Sequence, residues 1–531
     1  MDIFVRIKNS KYYPYLASAL SGVLLALAYR FAFLWWICLA ALIPLCTVLF
    51  TKDLTYKGLI GLFLCFCLFY YCPTLLWLFE IAVVIQSSVG VTASYIIMAL
   101  AIIAISLIMG VIYSLPMLLF KRLRRNNAWD IPLFAALYAS GEMLVGLMGV
   151  LSFPWGRIAN IAVACLPFAQ IASLGGGLLL GFIVTAVNGI LARALLLLNK
   201  DRLRAVLALA TACLILGGNL LFGGISMLIK PSSGNVNVLL VQGNFPNNQK
   251  WTASTTTMLN KYLELSRNAI TEETDLVFWP ETAIPLDVTK YENITHGIRE
   301  LATEKQVTIA VGYIEETEHG TYNAMRLYYP DGSVSEDFYA KQLLVPMGEF
   351  TPFKELFGTV FPSELGDLAA RNLTHGDKTV VFPTQYGDLN GMICYESILP
   401  RLQLDATRKG SGLICMITND SWFGTSNALD QHLAQAQLRA IENGRFLARS
   451  GNSGITAIIT PSGTVTGRIP TYQSGTLDGS VSFICSRTLY TVIGDIPFAA
   501  MLATCIILFI MDIIKQKMGK KCKILFTNPA K

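Results

Sequence analysis

Long apolar runs dominate the first 230 residues and return once near the C-terminus, while the stretch between them alternates short apolar runs with polar ones. A helix needs about 20 apolar residues to cross the hydrocarbon core of a bilayer. By that measure spans are expected at 13–29, 32–50, 57–79, 89–120, 131–150, 162–192 and 205–229, with an eighth at 490–513. Within 231–489 the period changes. Runs such as Asn235–Gln242, Asp275–Trp279, Val307–Ile314, Leu389–Cys394 and Gly412–Thr418 read as buried strands. The segments Ala253–Ile270, Ser397–Arg408 and Ala428–Arg449 read as helices between them. Strands interleaved with helices in this way predict a layered α/β domain.

The pattern therefore divides the chain into four parts. Residues 1–230 form a membrane domain of seven transmembrane helices, and 231–489 a polar α/β domain. Residues 490–514 form an eighth span, and 515–531 a basic tail. Charge orients this plan. Alternate short loops carry Lys52 and Lys57, then Lys121, Arg122, Arg124 and Arg125, then Arg193, Lys200, Arg202 and Arg204, whereas the opposite loops hold only Arg30 and Arg157. Because basic loops stay on the cytoplasmic side, both termini are expected there and 231–489 on the far side.

Composition agrees with the pattern: 53% of residues are hydrophobic, and only 14% are charged. The net charge of +6 is explained by the cytoplasmic loops, so no nucleic-acid partner is expected. Most of the 12 cysteines lie within apolar runs, and there are only four histidines. A zinc site is not expected, nor any other metal or cofactor. Cys415 and Cys485 are left as an open candidate pair. Glu142 falls inside the fifth span, where function and close helix packing compete as explanations.

Three residues of the polar domain carry chemistry together. Glu281 follows a strand in Phe-Trp-Pro-Glu-Thr-Ala, Lys341 follows another in Tyr-Ala-Lys-Gln-Leu, and Cys394 ends a strand in Gly-Met-Ile-Cys-Tyr-Glu-Ser. A thiol is mostly protonated at neutral pH, so a nucleophilic cysteine needs a nearby cation and a base. Lys341 can supply the cation and stabilise an oxyanion, and Glu281 can accept and return a proton. A lone cysteine at a strand end is more often a core residue; the weight lies in the ordered set and its flanks.

Those flanks are Val-Gln-Gly-Asn at 241–244, Trp-Pro-Glu-Thr-Ala at 279–283, Tyr-Ala-Lys-Gln-Leu-Leu-Val-Pro-Met-Gly-Glu at 339–349, Ile-Cys-Tyr-Glu at 393–396 and Asn-Asp-Ser-Trp-Phe-Gly at 419–424. They resemble the nitrilase, or carbon–nitrogen hydrolase, superfamily. With the flanking spans, the whole chain resembles its membrane-embedded family, the apolipoprotein N-acyltransferases. The resemblance implies a multi-span α-helical membrane domain joined to an αββα sandwich. It implies Cys394 as nucleophile, Glu281 as proton acceptor, Lys341 as the third member and Glu349 as a supporting carboxylate. It links Trp251, Tyr395, Glu396 and Trp422 to substrate binding or lipid access. Met347 and Ser421 depart from the family pattern, which commonly has Phe and Ala there.

The activity it implies is acyl transfer from a phospholipid, with phosphatidylethanolamine the expected donor, through a Cys394 thioester. The acceptor is the α-amino group of diacylglyceryl-modified apolipoproteins, in the last step of lipoprotein maturation. The location it implies is the bacterial inner membrane, with the catalytic domain in the periplasm. The alternatives are an amidase that transfers the acyl group to water and a scaffold with a decayed enzyme domain.

Overall fold

In Val236–Gln242 every second side chain turns the same way, and both faces are apolar. Val236, Val238 and Leu240 enter one buried cluster, whereas Leu239 and Val241 enter another. A strand buried on both faces belongs to the middle of a layered sandwich. The computed structural model, which describes residues 10–246, 254–351 and 372–527, has that arrangement.

Among the described residues, twelve strands form two six-stranded sheets. The first contains β1 (Val236–Gln242), β2 (Leu276–Phe278), β3 (Thr308–Thr317), β4 (Gly320–Tyr328), β5 (Tyr339–Ala340) and β12 (Gly475–Val481), in the order β12-β1-β2-β3-β4-β5. The second contains β6 (Val381–Thr384), β7 (Gly387–Ile393), β8 (Leu413–Thr418), β9 (Phe446–Gly451), β10 (Thr456–Ile459) and β11 (Val465–Ile469), in the order β11-β10-β9-β8-β7-β6. The central pairs β1–β2, β2–β3, β7–β8 and β8–β9 are parallel and the flanking pairs antiparallel. Val238, Phe278 and Ala310 face Ile393, Cys415, Ile417 and Ala448 between the sheets. Helices Thr255–Ala269 and Glu292–Lys305 cover the first sheet, their Tyr262 and Ile298 packing with its Val277 and Val311. The result is the expected αββα sandwich.

The outer layer of the second sheet is shared with the membrane part. Met392, Ile414, Met416 and Leu447 of that sheet, and Leu433 and Leu438 of helix Ala428–Asn443, belong to one buried cluster with Phe63, Tyr70, Trp155 and Phe168. Within the first 230 residues, apolar helices run over Tyr13–Arg30, Tyr56–Thr74, Val91–Leu123, Asp130–Gly146, Ala172–Leu197 and Arg202–Ile229, and another over Ile496–Thr527. Among the described residues six stretches have the length and apolarity to cross a membrane: Ala32–Thr51, Tyr56–Thr74, Val91–Leu123, Ala172–Leu197, Arg202–Ile229 and Ile496–Lys517. Tyr13–Arg30 falls short in hydropathy and Asp130–Gly146 in length.

Several expected elements differ in detail. The run at 32–50 is a 3-10 helix, Ala32–Leu39, followed by an α-helix from Ile43 that has Pro44 in its first turn. Such a break exposes backbone groups that lipid cannot satisfy. Asn188 satisfies them, its Oδ1 accepting from Leu42 N at 2.8 Å while its Nδ2 donates to Cys38 O at 2.8 Å. The run expected over 162–192 starts its long helix only at Ala172, because residues 149–171 form short turns that reach the catalytic domain. Glu142 anchors one of them, with Oε1 accepting from Ile158 N at 3.0 Å. The helix expected over Ala428–Arg449 stops at Asn443, where Gly444 takes the left-handed conformation that ends a helix, and the chain returns as β9. Cys415 and Cys485 are both free thiols, the first buried and the second exposed.

Candidate active site

Cys394 begins the turn Cys394–Ile398, directly after β7. Its φ is +52°, a left-handed conformation that costs a residue bearing a side chain. The turn is braced from beneath. Glu396, fully buried, accepts from Ile393 N at 2.7 Å and Gln342 N at 2.6 Å, and both its oxygens take the Tyr339 hydroxyl at 2.8 Å. That carboxylate ties the strand carrying Cys394 to the segment carrying Lys341. Burial pushes its carboxyl up to about 7 against the pull of these donors.

Lys341 follows β5, and its ammonium is almost closed off from solvent. Nζ lies 3.0 Å from Glu281 Oε1 and 2.9 Å from Glu349. Burial works against the ammonium's charge, but the two carboxylates outweigh it and hold the group well above the usual lysine range. Asn323 of β4 spans the same pair, its Nδ2 donating to Glu281 Oε1 at 2.7 Å and to Glu349 Oε1 at 2.8 Å. Asn419 N donates to the remaining Glu281 oxygen at 2.7 Å. Glu349 Oε2 accepts from Val345 N at 2.8 Å, which shapes the loop in which Met347 has φ +63°.

The thiol is buried among these charges. Burial pushes the Cys394 thiol up, Glu281 pushes it further, and Lys341 opposes both. The resting group is therefore the thiol, and its proton has a carboxylate to go to. Two carboxylates, one ammonium and a neutral thiol carry a net charge of −1 together, and moving the thiol proton to Glu281 leaves that total unchanged. This geometry suits general-base activation of a thiol.

The structure brings together Glu281, Lys341, Glu349 and Cys394. It places Glu396 inside, spent on bracing. Tyr395 turns toward the membrane part, its hydroxyl donating to Ser152 O at 3.3 Å and its ring stacking on Phe153 at 6.3 Å. Trp422, partly buried, packs against the shared core, and Ser421 donates to Asn419 Oδ1 at 2.8 Å. Trp251 lies outside the described residues. The sequence reading missed Asn323, whose Tyr-Asn-Ala-Met context carries no signature. Asn419 stands within the Asn-Asp-Ser-Trp-Phe-Gly string, but its backbone N–H, which orients Glu281, carries no sequence signal.

Two known families match separate stretches of the chain. Residues 238–484 match the carbon-nitrogen hydrolase family, and residues 21–190 match the apolipoprotein N-acyltransferase N-terminal domain. An apolipoprotein N-acyltransferase of Shewanella oneidensis is 30% identical over 415 residues, covering 75% of this chain and 76% of that protein. One of Bradyrhizobium diazoefficiens is 32% identical over 410 residues, covering 73% and 75%. Among solved structures, a carbon–nitrogen hydrolase superfamily protein of Xanthomonas campestris is 20% identical, with a TM-score of 0.36 over 50% of this chain and 96% of that chain.

Proposed function

The chain belongs to the apolipoprotein N-acyltransferase family, and from that membership we propose how its site works: Glu281, Lys341 and Cys394 carry a two-step acyl exchange, with Glu349 in support. The enzyme is an acyltransferase of lipoprotein maturation, which sets aside the hydrolase and scaffold readings. The observation that supports the residue roles is a buried thiol facing a Lys341 ammonium that lies 3.0 Å from Glu281 Oε1.

In the first step Glu281 takes the Cys394 proton as the sulfur attacks the sn-1 ester carbonyl of a phospholipid. Lys341 stabilises the oxyanion. The C–O bond breaks, Glu281 returns the proton to the leaving alkoxide, and a lysophospholipid departs from the thioester. In the second step the α-amino group of a diacylglyceryl-cysteine attacks the thioester. Glu281 takes the ammonium-forming proton, the C–S bond breaks, and the proton passes back to sulfur. Phosphatidylethanolamine is the proposed donor. Tyr395 and Trp422, which pack toward the membrane part, are proposed to line the lipid's approach, together with Trp251. Each CH₂ kept from water contributes about 0.8 kcal/mol, so a lipid-chain substrate favours a site joined to membrane helices.

We place the protein in the inner membrane, with 231–489 in the periplasm and 515–531 in the cytoplasm. The support is the loop-charge asymmetry, with Tyr13–Arg30 and Asp130–Gly146 counted as spans to give seven before residue 230 and an eighth over 490–514. A phosphatase reporter should be active when fused after Lys230 and silent after Lys523; the reverse pattern rejects this orientation. For the chemistry, solubilised protein is incubated with acyl-labelled phosphatidylethanolamine. A hydroxylamine-sensitive label that disappears in Cys394→Ala is expected, and label persisting in that variant rejects the mechanism.

A further inference from the structure

The carbonyl oxygen of Cys394 is held by a histidine that the acyl-transfer steps do not use. His432, on helix Ala428–Asn443, is fully buried, and its Nε2 lies 3.0 Å from Cys394 O. A carbonyl only accepts, so Nε2 carries the hydrogen. The other ring nitrogen, Nδ1, lies 2.9 Å from Asp420 Oδ1 and 3.1 Å from Arg449 Nη2. Arg449 also donates to Asp420 Oδ2 at 2.6 Å, and Thr418 donates to Oδ1 at 2.8 Å. Burial works against the Asp420 charge, but Arg449 and His432 outweigh it and keep the carboxyl well below its usual range.

Aromatic rings from both parts of the molecule fix the imidazole plane. Trp155, from the loops between the membrane helices, stacks on it at 5.9 Å and 28°, and Phe423 meets it edge-on at 5.8 Å and 84°. Trp155 is itself oriented by Gln431, whose Oε1 accepts from its Nε1 at 2.7 Å. A buried imidazole with both nitrogens engaged and its ring packed against two touching aromatics is more than a space-filler.

We propose that His432, held at Nδ1 by the Asp420–Arg449 pair, is a positioning residue that holds Cys394 in its left-handed conformation by donating to the Cys394 carbonyl, and so aims the thiol at Glu281 and Lys341. The proposal rests on Cys394 being the nucleophile. Asp420 follows Asn419, whose N–H orients Glu281, so one turn sets the direction of both the base and the histidine. Through Trp155 the same histidine couples the membrane part to the reacting residue.

The test uses the geometry of amides. The side-chain nitrogen of glutamine reaches the place of imidazole Nε2, whereas that of asparagine reaches only that of Nδ1. His432→Gln, His432→Asn and His432→Ala are prepared in the full chain, and single-turnover acylation by labelled phosphatidylethanolamine is measured with Cys394→Ala as control. His432→Gln is expected within about fivefold of the natural rate. His432→Asn and His432→Ala are expected to lose roughly 10–100-fold, with half-saturating phospholipid changed less than about twofold and with His432→Asn melting within a few degrees of His432→Gln. Equal rates for the glutamine and asparagine variants, a change confined to half-saturation, or losses that follow the melting temperature would each overturn the proposal. Label on Cys394→Ala would instead remove the nucleophile assignment beneath it.

Discussion

The Asn323 carboxamide donates to Glu281 Oε1 across 2.7 Å, and the bond lies inside the catalytic sandwich, where neither side chain meets bulk water. The same nitrogen reaches Glu349 at 2.8 Å, so a neutral donor helps one ammonium keep two carboxylates at close range. Asn323→Asp would place a third carboxylate between them and favour protonation of Glu281 before it can act as base. Acylation of Cys394 should fall roughly 100-fold at neutral pH, with Asn323→Ala losing less, nearer 10-fold. Thioester formation from labelled phospholipid reads both, and an aspartate variant as fast as the alanine one would refute the charge argument.

Glu281→Gln keeps the shape of the side chain but removes the proposed base, and Lys341→Ala removes the charge proposed to stabilise the oxyanion. Loss of one such donor costs on the order of 10²–10³ in rate, so both variants should fail to complement cells depleted of the enzyme. Lys341→Arg should not restore activity, because a planar guanidinium cannot sit as a compact ammonium does between two carboxylates. Near-normal transfer by a folded Glu281→Gln protein would mean that another group takes the proton.

What the chain disclosed in advance followed from local physics. Strands such as Val236–Gln242 and Leu413–Thr418 are apolar on both faces, a pattern that survives without knowledge of neighbours. Cys394, Lys341 and Glu281 each stand at a strand end within a distinctive string. Asn323 and His432 were illegible because their importance comes from residues far away in sequence: Asn323 from Glu281 and Glu349, His432 from a carbonyl that any residue possesses. The helix drawn through to Arg449 failed because Phe446–Arg449 continues an apolar spacing, and only Gly444 marks the stop. Glu396, which the resemblance links to substrate binding, accepts from three backbone N–H groups and a tyrosine, partners that no local string announces.

Glu349 touches the ammonium as closely as Glu281 does, at 2.9 Å against 3.0 Å. Its second role, accepting from Val345 N, concerns the loop rather than the thiol. Glu349→Ala should therefore abolish acyl transfer while leaving iodoacetamide labelling of Cys394 faster than in Lys341→Ala. Labelling equally slow in both would put Glu349 in direct control of the thiol.

The brace at Glu396 predicts a pH effect with a definite sign. Its folded value, about 7, lies above the unfolded value of 4.5, because burial disfavours the carboxylate. The stability it contributes is fully present below about 4.5 and is lost as pH rises through about 7. Glu396→Gln cannot titrate, and its NH₂ must face a backbone N–H, at a cost of about 1–3 kcal/mol. At pH 5 the variant should melt several degrees below the natural protein, and that gap should narrow by pH 8. A gap that widens with pH would show that the carboxylate, not the acid, is the form the fold prefers.

Gly176 tests whether the membrane part and Cys394 are mechanically joined. It breaks the helix Ala172–Leu197 at φ +69°, and a Cβ there would lie 2.5 Å from the Tyr490 ring, which is fully buried. Immediately after the break, Gly177 N donates to Glu442 Oε1 at 2.8 Å. Glu442 accepts from Arg439 at 2.8 Å, and Arg439 donates to Ser397 O at 2.9 Å, three residues beyond Cys394. Alanine at 176 must either strain the backbone or push Tyr490 away, and both disturb the next link. Gly176→Ala should lower the melting temperature in detergent by several degrees and slow acylation of Cys394 roughly 5–150-fold, as expected for about 1–3 kcal/mol of local strain felt at Cys394. Gly217→Ala is the control, since a Cβ there meets nothing within 4 Å. If Gly176→Ala is destabilised yet acylates at the natural rate, the Gly177–Glu442–Arg439–Ser397 connection holds the two parts together without setting the position of the thiol.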